Sequence, residues 1–498
     1  MTFTDNQSGV PAAEEPFGGA AYDGTGFDGA AYDGGPALAG TGTGTATTHP
    51  GLADLFGRPL LRTVWRRRTH RVSRGANVSA GTMTYTSRNQ AEPLSELEEA
   101  VLIAITGSTG LTMPDRPFED PDNGTPIMSK PNLTMAGRTA GSPDNAQGTH
   151  FFLVNDTGTY FLRRLEPAPY EPFDAETLVA RARQAKVKVL DKRLDVAVGG
   201  RDFPAYLDSN RFLSNLPGTT LLFPVVDLSH QYVNALMYLL TQPDGARPTF
   251  VDDRNFYRAA GVKKWVRNGF LNKDLKLPLG ALGPMRTQIE ADLLLQNLML
   301  TAEAMGLGAW IHASIHPQIA LGDPKFSRAY GRMLGFDFVT PRWKLADLWR
   351  WHIPLPKYAT VRSHPVGLRS PDGATLIAAA CPPAYPTMSD AVGKIIDKKF
   401  GRDGIYTDRD VFTRIYREDY GQRYLTEASE YDQRVIDCAR DVCEYIIRTH
   451  GRFPAHTDAI HVPGVWLQIH HVENEYYERF FVNGLTDAHR AHGEAWGH

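Results

Sequence analysis

Residues 296–308 read Gln-Asn-Leu-Met-Leu-Thr-Ala-Glu-Ala-Met-Gly-Leu-Gly. Leu293, Leu294 and Leu295 lead into this stretch, and Leu298, Met299, Leu300, Ala302, Ala304 and Met305 continue it. Only Asp292, Gln296, Asn297, Thr301 and Glu303 interrupt the apolar run. A helix that is apolar on nearly every side belongs in an interior, so this one is expected to be buried. Gly306 can take the left-handed conformation that ends a helix, and Gly308 lets the chain turn sharply into the next segment. Residues 309–313 are short and apolar enough for a buried strand.

At 498 residues the chain is too long for one ordinary domain, and about two to three units are expected. A hydrophobic fraction of 42% with 22% charged residues describes a globular protein, and a net charge of −3 argues against a general nucleic-acid binder. No run approaches the roughly 18–20 apolar residues that a membrane-spanning helix needs. The N-terminal residues lack the basic-then-apolar order of a secretory signal. Cys381, Cys438 and Cys443 show no CxxC spacing, which suits free thiols in a reducing cytoplasm. A cytoplasmic protein is expected.

Residues 1–50 are rich in Gly, Ala and Thr and contain Gly-Ala-Ala-Tyr-Asp-Gly twice, at 19–24 and 29–34; they read as a disordered leader. From Leu52 to Trp65 the apolar spacing is helical, broken by Gly57-Arg58-Pro59. A second helix fits 94–106, with Ser95 and Glu98 in the positions of a capping box. Residues 107–148 read as a long loop, and 149–155 as the clearest strand. Helices are expected at about 175–190, 229–241 and 286–305, an irregular insertion at 242–283, and a strand near 374–380. From 381 to 498 the chain reads as a helical extension, with helices at about 387–400, 409–418 and 430–449.

Six arginines crowd residues 62–74: Arg62, Arg66, Arg67, Arg68, Arg71 and Arg74. A guanidinium is a planar fork of donors that grips phosphate oxygens from two nitrogens at once, and Thr69 adds a hydroxyl. By composition alone the same residues would also serve as a solvated or salt-bridged helix end. The histidines His450, His456, His461, His470 and His471 lie near Asp458, Glu473 and Glu475, but none shows HxxxH or HExxH spacing. They are expected to pack, and no metal is assigned.

The 296–308 string closely resembles the central helix of the FMN-dependent nitroreductase family, where Q-N-x-x-L-x-A-x-x-x-G-L-G leads toward the flavin. The layout, with Gly451-Arg452-Phe453-Pro454-Ala455 near its end, also resembles a group of long actinobacterial nitroreductase-like proteins. The family's phosphate signature, Arg-Arg-Ser-x-Arg after the first long helix, is similar to Arg67-Arg68-Thr69-His70-Arg71. The resemblance implies that Arg67, Thr69 and Arg71 bind the FMN phosphate, with Arg68 contributing through its backbone and Arg88 in reserve. It further implies that Ser142, Asn145 and Gln147 approach the flavin's pyrimidine edge, with Arg138 adding positive charge there. The backbone N–H groups of Ala313 and Ser314 would donate near N5, and His312 or His316 would either donate a proton there or serve only as a polar residue at the strand's end.

The fold expected on this resemblance is α+β: a nitroreductase-like, mostly antiparallel sheet flanked by helices. It spans 51–380, with the 381–498 helical extension beyond it. The expected function is an FMN-dependent oxidoreductase, a homodimer carrying hydride via flavin N5 between NAD(P)H and a small organic acceptor by ping-pong kinetics. Two alternatives stand beside it: a flavin-dependent dehydrogenase or oxidase of a peptide or small metabolite using O2, and a non-catalytic binding protein that keeps the fold without the cofactor.

Overall fold

A computed structural model describes residues 49–115, 122, 132–166, 174–194, 213–282, 285–313, 317–326, 333–341, 363–428 and 430–498. The expected leader lies outside the described residues except for its last two positions, and so do Ser314 and His316. Helix α1 (Pro50–Gly57) and helix α2 (Leu60–Arg66) are separated at Arg58-Pro59, where proline cannot supply the N–H that would continue α1. Helix α3 (Glu96–Thr106) starts with a reciprocal cap. The Ser95 hydroxyl accepts from the Glu98 N–H at 3.3 Å, and the Glu98 carboxylate accepts from the Ser95 N–H at 2.7 Å.

The central sheet is built from β1 (Thr149–Asn155), β2 (Gly158–Leu162), β3 (Lys186–Leu190), β4 (Thr220–Asp227), β5 (Gly308–His312) and β6 (Trp466–His470). Their order is β5-β6-β4-β1-β2-β3, every neighbouring pair is antiparallel, and Ile460–His461 adds a short strand against β4. Phe152 stands opposite both Phe161 and Phe223, and Trp310 opposite Gln468.

Alternate residues of β1 feed two cores. Phe151 and Leu153 pack with Leu294, Leu298 and Met305 of helix α6 (Met285–Met305) and with α3 and helix α4 (Ala175–Ala185). Phe152 and Val154 pack with Val233 and Leu236 of helix α5 (Ser229–Leu240). The same cluster takes Ile395 of helix α7 (Met388–Phe400) and Val442 of helix α8 (Gln433–His450). A buried Leu or Phe is worth roughly 1.5–3 kcal/mol, against about 1 kcal/mol across the whole β-propensity scale. Two-sided burial therefore fixes the register of β1.

The fold class is α+β, with mostly antiparallel sheets flanked by helices and a helical C-terminal region. The segment beyond 381 also supplies β6, which lies inside the sheet, and helix α9 (Asn474–Phe480) and helix α10 (Asp487–Trp496), of which α10 packs on α6.

Three local expectations are revised. The helix expected over 175–190 stops at Ala185, because Lys186, Val187, Lys188, Val189 and Leu190 alternate polar and apolar and pair with β2. The 242–283 segment holds a three-stranded sheet of Pro248–Asp252, Arg258–Ala259 and Asn272–Pro278 with a short helix, Lys263–Arg267. Helix α6 is not buried all round, since Ile289 and Leu293 are 45% and 43% exposed. Among the described residues no helix is long and apolar enough to cross a membrane.

Candidate functional site

The arginine-rich loop follows α2 and leans on the C-terminal ends of α6 and the chain. Arg62 and Arg66 pair with Asp487 at 2.5 and 3.3 Å, Arg74 pairs with Glu92, and Arg68 folds its guanidinium onto the Arg67 carbonyl at 3.0 Å. Arg67 and Arg71 have no carboxylate partner among the described residues. Thr69 between them is exposed. The loop itself is pinned, because the Tyr477 hydroxyl of α9 accepts from the Arg71 and Val72 N–H groups at 2.6 and 3.0 Å. Two guanidinium groups with neither a carboxylate partner nor a carbonyl contact among the described residues, and a hydroxyl on a fixed loop, are a donor set suited to a phosphate monoester.

The same loop meets β5. The Arg71 guanidinium lies 5.5 Å from the Trp310 ring centre, within cation–π range. Two residues on, His312 stacks on Trp466 with ring centres 3.8 Å apart and faces the Ser214 hydroxyl at 3.3 Å. Burial, reinforced by the Arg71 charge, pulls the His312 pKa down to about 3. The ring is neutral at physiological pH, so any proton it gave would come from a neutral imidazole. Ala313, the next residue, is exposed at the strand's end.

Arg138, Ser142, Asn145 and Gln147 come together elsewhere. Arg138 is buried and donates to the Thr106 carbonyl at 2.6 and 3.1 Å and to the Thr149 carbonyl at 2.7 Å, joining α3 to β1. Burial pulls its pKa down to about 9. Ser142 donates to Glu290, whose carboxylate also accepts the Gln147 and Gly148 N–H groups at 3.1 and 2.8 Å. The Asn145 amide donates to the Thr112 hydroxyl at 2.7 Å and accepts from the Gln147 amide at 2.8 Å. These residues line a cleft of about 370 Å³. Glu290 and Glu303 both sit on α6, thirteen residues apart. At 1.5 Å per residue this separates the two loops by about 20 Å. Arg88, the reserve phosphate ligand, is exposed and faces Glu475 at 3.8 Å, beside the short helix whose Tyr477 holds the Arg71 backbone.

A cavity of about 660 Å³, which the sequence does not announce, is lined by Arg163, Arg164, Lys398 and Arg414 together with Glu166, Asp403 and Asp408. Its charges are mixed, four basic against three acidic. Only the adjacent Arg163-Arg164 pair is visible as a local signal; Lys398 and Arg414 arrive from helices far along the chain.

No family model matches the chain, and no curated protein matches it. Among solved structures, the crystal structure of a "putative nitroreductase" from Ralstonia eutropha is similar at 14% identity, covering 55% of this chain and 76% of that one with a TM-score of 0.25. At that overlap the likeness says nothing about this chain's chemistry.

Proposed function

We propose that this chain is a cytoplasmic FMN-dependent oxidoreductase that carries hydride between NAD(P)H and a small organic acceptor. The observation that supports it is the pair Arg67 and Arg71. Of six clustered arginines, the three of the phosphate signature lack a carboxylate partner for their guanidinium groups among the described residues, and Arg68 turns its own onto backbone carbonyls, which leaves Arg67 and Arg71. In this reading Arg67, Thr69 and Arg71 grip the FMN phosphate, while Tyr477 holds their loop and Trp310 steers the Arg71 guanidinium. When bound, the flavin supplies the electron chemistry, and the protein orients it and limits its access to water. His312 contributes a neutral ring beside the loop, and the Ala313 N–H lies at the end of the same strand.

The spacing of about 20 Å between the arginine loop and the 142–147 loop fits a homodimer in which one subunit supplies each loop to a shared site. The exposed apolar residues Leu60, Leu61 and Trp65 on α2, with Ile289 and Leu293 on α6, support such a pairing.

The test is the visible spectrum of the purified protein before and after FMN addition, with Arg67→Ala/Arg71→Ala as the comparison. A charged hydrogen bond is worth about 1.5–3 kcal/mol, so the double variant should bind FMN more than a hundredfold more weakly. Undiminished FMN binding by the double variant would overturn the phosphate assignment. A wild-type protein that carries no flavin bands after FMN addition and gel filtration would overturn the function.

A further inference from the structure

Four ligand-type side chains that the flavin reading does not use converge at the start of α3. Glu98 lies in its first turn, His471 directly follows β6, His492 is on α10, and His498 lies just past that helix. The His471 Nε2 is 3.3 Å from both Glu98 oxygens. The His492 Nε2 is 3.1 Å from Oε1, and the His498 Nε2 is 3.2 Å from Oε2. Glu98, His471 and His492 are 0%, 1% and 4% exposed, and the His498 side chain 10%.

All three rings turn the same nitrogen inward. Each outer nitrogen has its own acceptor. For His471 Nδ1 it is the Glu92 carbonyl at 3.1 Å, for His492 Nδ1 the Met305 carbonyl at 2.8 Å, and for His498 Nδ1 the Glu92 carboxylate at 3.0 Å. A carbonyl or carboxylate oxygen can only accept, so each Nδ1 carries a proton, and in a singly protonated ring the Nε2 lone pair faces Glu98. A neutral ring in that tautomer has nothing to donate to the carboxylate. The buried His492 Nε2 makes no hydrogen bond despite its 3.1 Å approach. Such lone pairs around a carboxylate are satisfied by a second proton on each ring or by one cation held among them, and a single ion serves all three rings at once. The spacing also suits one: zinc bonds of 2.0–2.1 Å to nitrogen and oxygen imply a tetrahedral edge of about 3.3 Å, which the three His–Glu98 approaches match, and the four ligand atoms all lie within 4.8 Å of one another. Outer acceptors that fix the tautomer of each ring are what a metal-binding histidine usually has.

We propose that Glu98, His471, His492 and His498 form a four-coordinate site for a zinc-class divalent ion. Four protein ligands close the site, so the ion ties α3 to the C-terminal elements and does not activate water. Gly497 makes the geometry possible. Its φ of +83° reverses the chain, returns the His498 N–H to the Gly493 carbonyl at 2.9 Å, and lays the His498 ring beside that of His492. The ligands come from positions 98, 471, 492 and 498, so no helical spacing announces them. In sequence, Glu98 is only a capping residue and His471 only a packing residue.

The test uses the full chain, purified without a metal-binding tag, stripped with a chelator and titrated with Co2+ and then Zn2+. The expected result is one equivalent of Co2+ with the intense visible bands of a tetrahedral ion, displaced by Zn2+. Should stripping unfold the chain, recovery of its circular dichroism on Zn2+ addition is the expected counterpart. His498→Ala, a change at the partly exposed ligand, should weaken Zn2+ binding at least tenfold while the circular dichroism is kept, and His492→Ala should weaken it further. Uptake below about a tenth of an equivalent by the wild type, a weak octahedral Co2+ spectrum, or unchanged affinity in His498→Ala would each overturn the proposal. FMN content is read separately, so failure here leaves the flavin assignment standing, and the reverse holds too.

Discussion

Glu303 carries a charge that the protein resists. It is buried near the end of α6, where the Arg68 N–H at 3.4 Å and the Thr486 hydroxyl at 3.2 Å donate to it and His489 Nδ1 lies 3.9 Å away. Burial pushes its pKa up to about 7 from a usual 4.5, against the opposing pull of those donors and of the Arg67 and Arg68 charges. Below about pH 4.5 the group is protonated folded or unfolded and costs nothing. Between 4.5 and 7 the unfolded chain ionises while the folded one keeps its proton, so stability falls as pH rises, and above 7 the loss is complete. Glu303→Gln should therefore be more stable than wild type at pH 8, on the order of 1–3 kcal/mol, and lose that advantage near pH 4.5. Melting temperatures at the two values check it; an equal difference at both would rule out titration as the cause. Sequence exposed Arg67 and Arg71 through a motif, whereas the burial of Glu303 depends on packing by α10, nearly two hundred residues away.

The turn from α6 into β5 is the element the sequence describes best. Gly306 adopts φ +84°, the Leu307 N–H returns to the Ala302 carbonyl at 2.8 Å, and the helix ends where the glycine says it should. Its surroundings were not legible. A Cβ here would sit inside van der Waals contact with the Ala488 carbonyl oxygen of α10. Gly306→Ala thus meets both an unfavourable φ and a fixed backbone atom, and should cost on the order of 2–4 kcal/mol in chemical denaturation. A loss under about 0.5 kcal/mol would mean that α10 can step aside. Lys186–Leu190 went the other way: it continues a helical run, yet its alternation serves a strand, and only the presence of β2 decides between them. The exposed stripe of α6 was hidden for a similar reason, because composition counts apolar residues without saying which have a neighbour.

Strand order was out of reach of the sequence altogether, since nothing local marks residues 466–470 as the partner of 308–312. The assembly is equally a matter of surfaces. Phe56, Leu60, Leu61 and Trp65 are each more than 60% exposed, and Leu293 is 43% exposed. If two copies cover these residues, light scattering after gel filtration should report twice the 55.1 kDa chain mass, and Trp65→Glu/Leu293→Glu should return it to a single chain. A wild-type monomer at micromolar concentration would sink the dimer.

The position of β6 has a consequence for how the protein is made. Among the described residues β5 pairs with β6 alone, and β6 is translated roughly 150 residues later. At about 5–20 residues per second, a ribosome would leave β5 waiting on the order of 10–30 seconds for its partner, and the open side of β4, made earlier, longer still. Throughout that interval the nascent chain exposes two bare strand edges, which invite pairing with another nascent chain. A molecule so arranged completes its sheet only after β6 has been made, and its yield in a cell should depend on chaperones that shield those edges in the meantime.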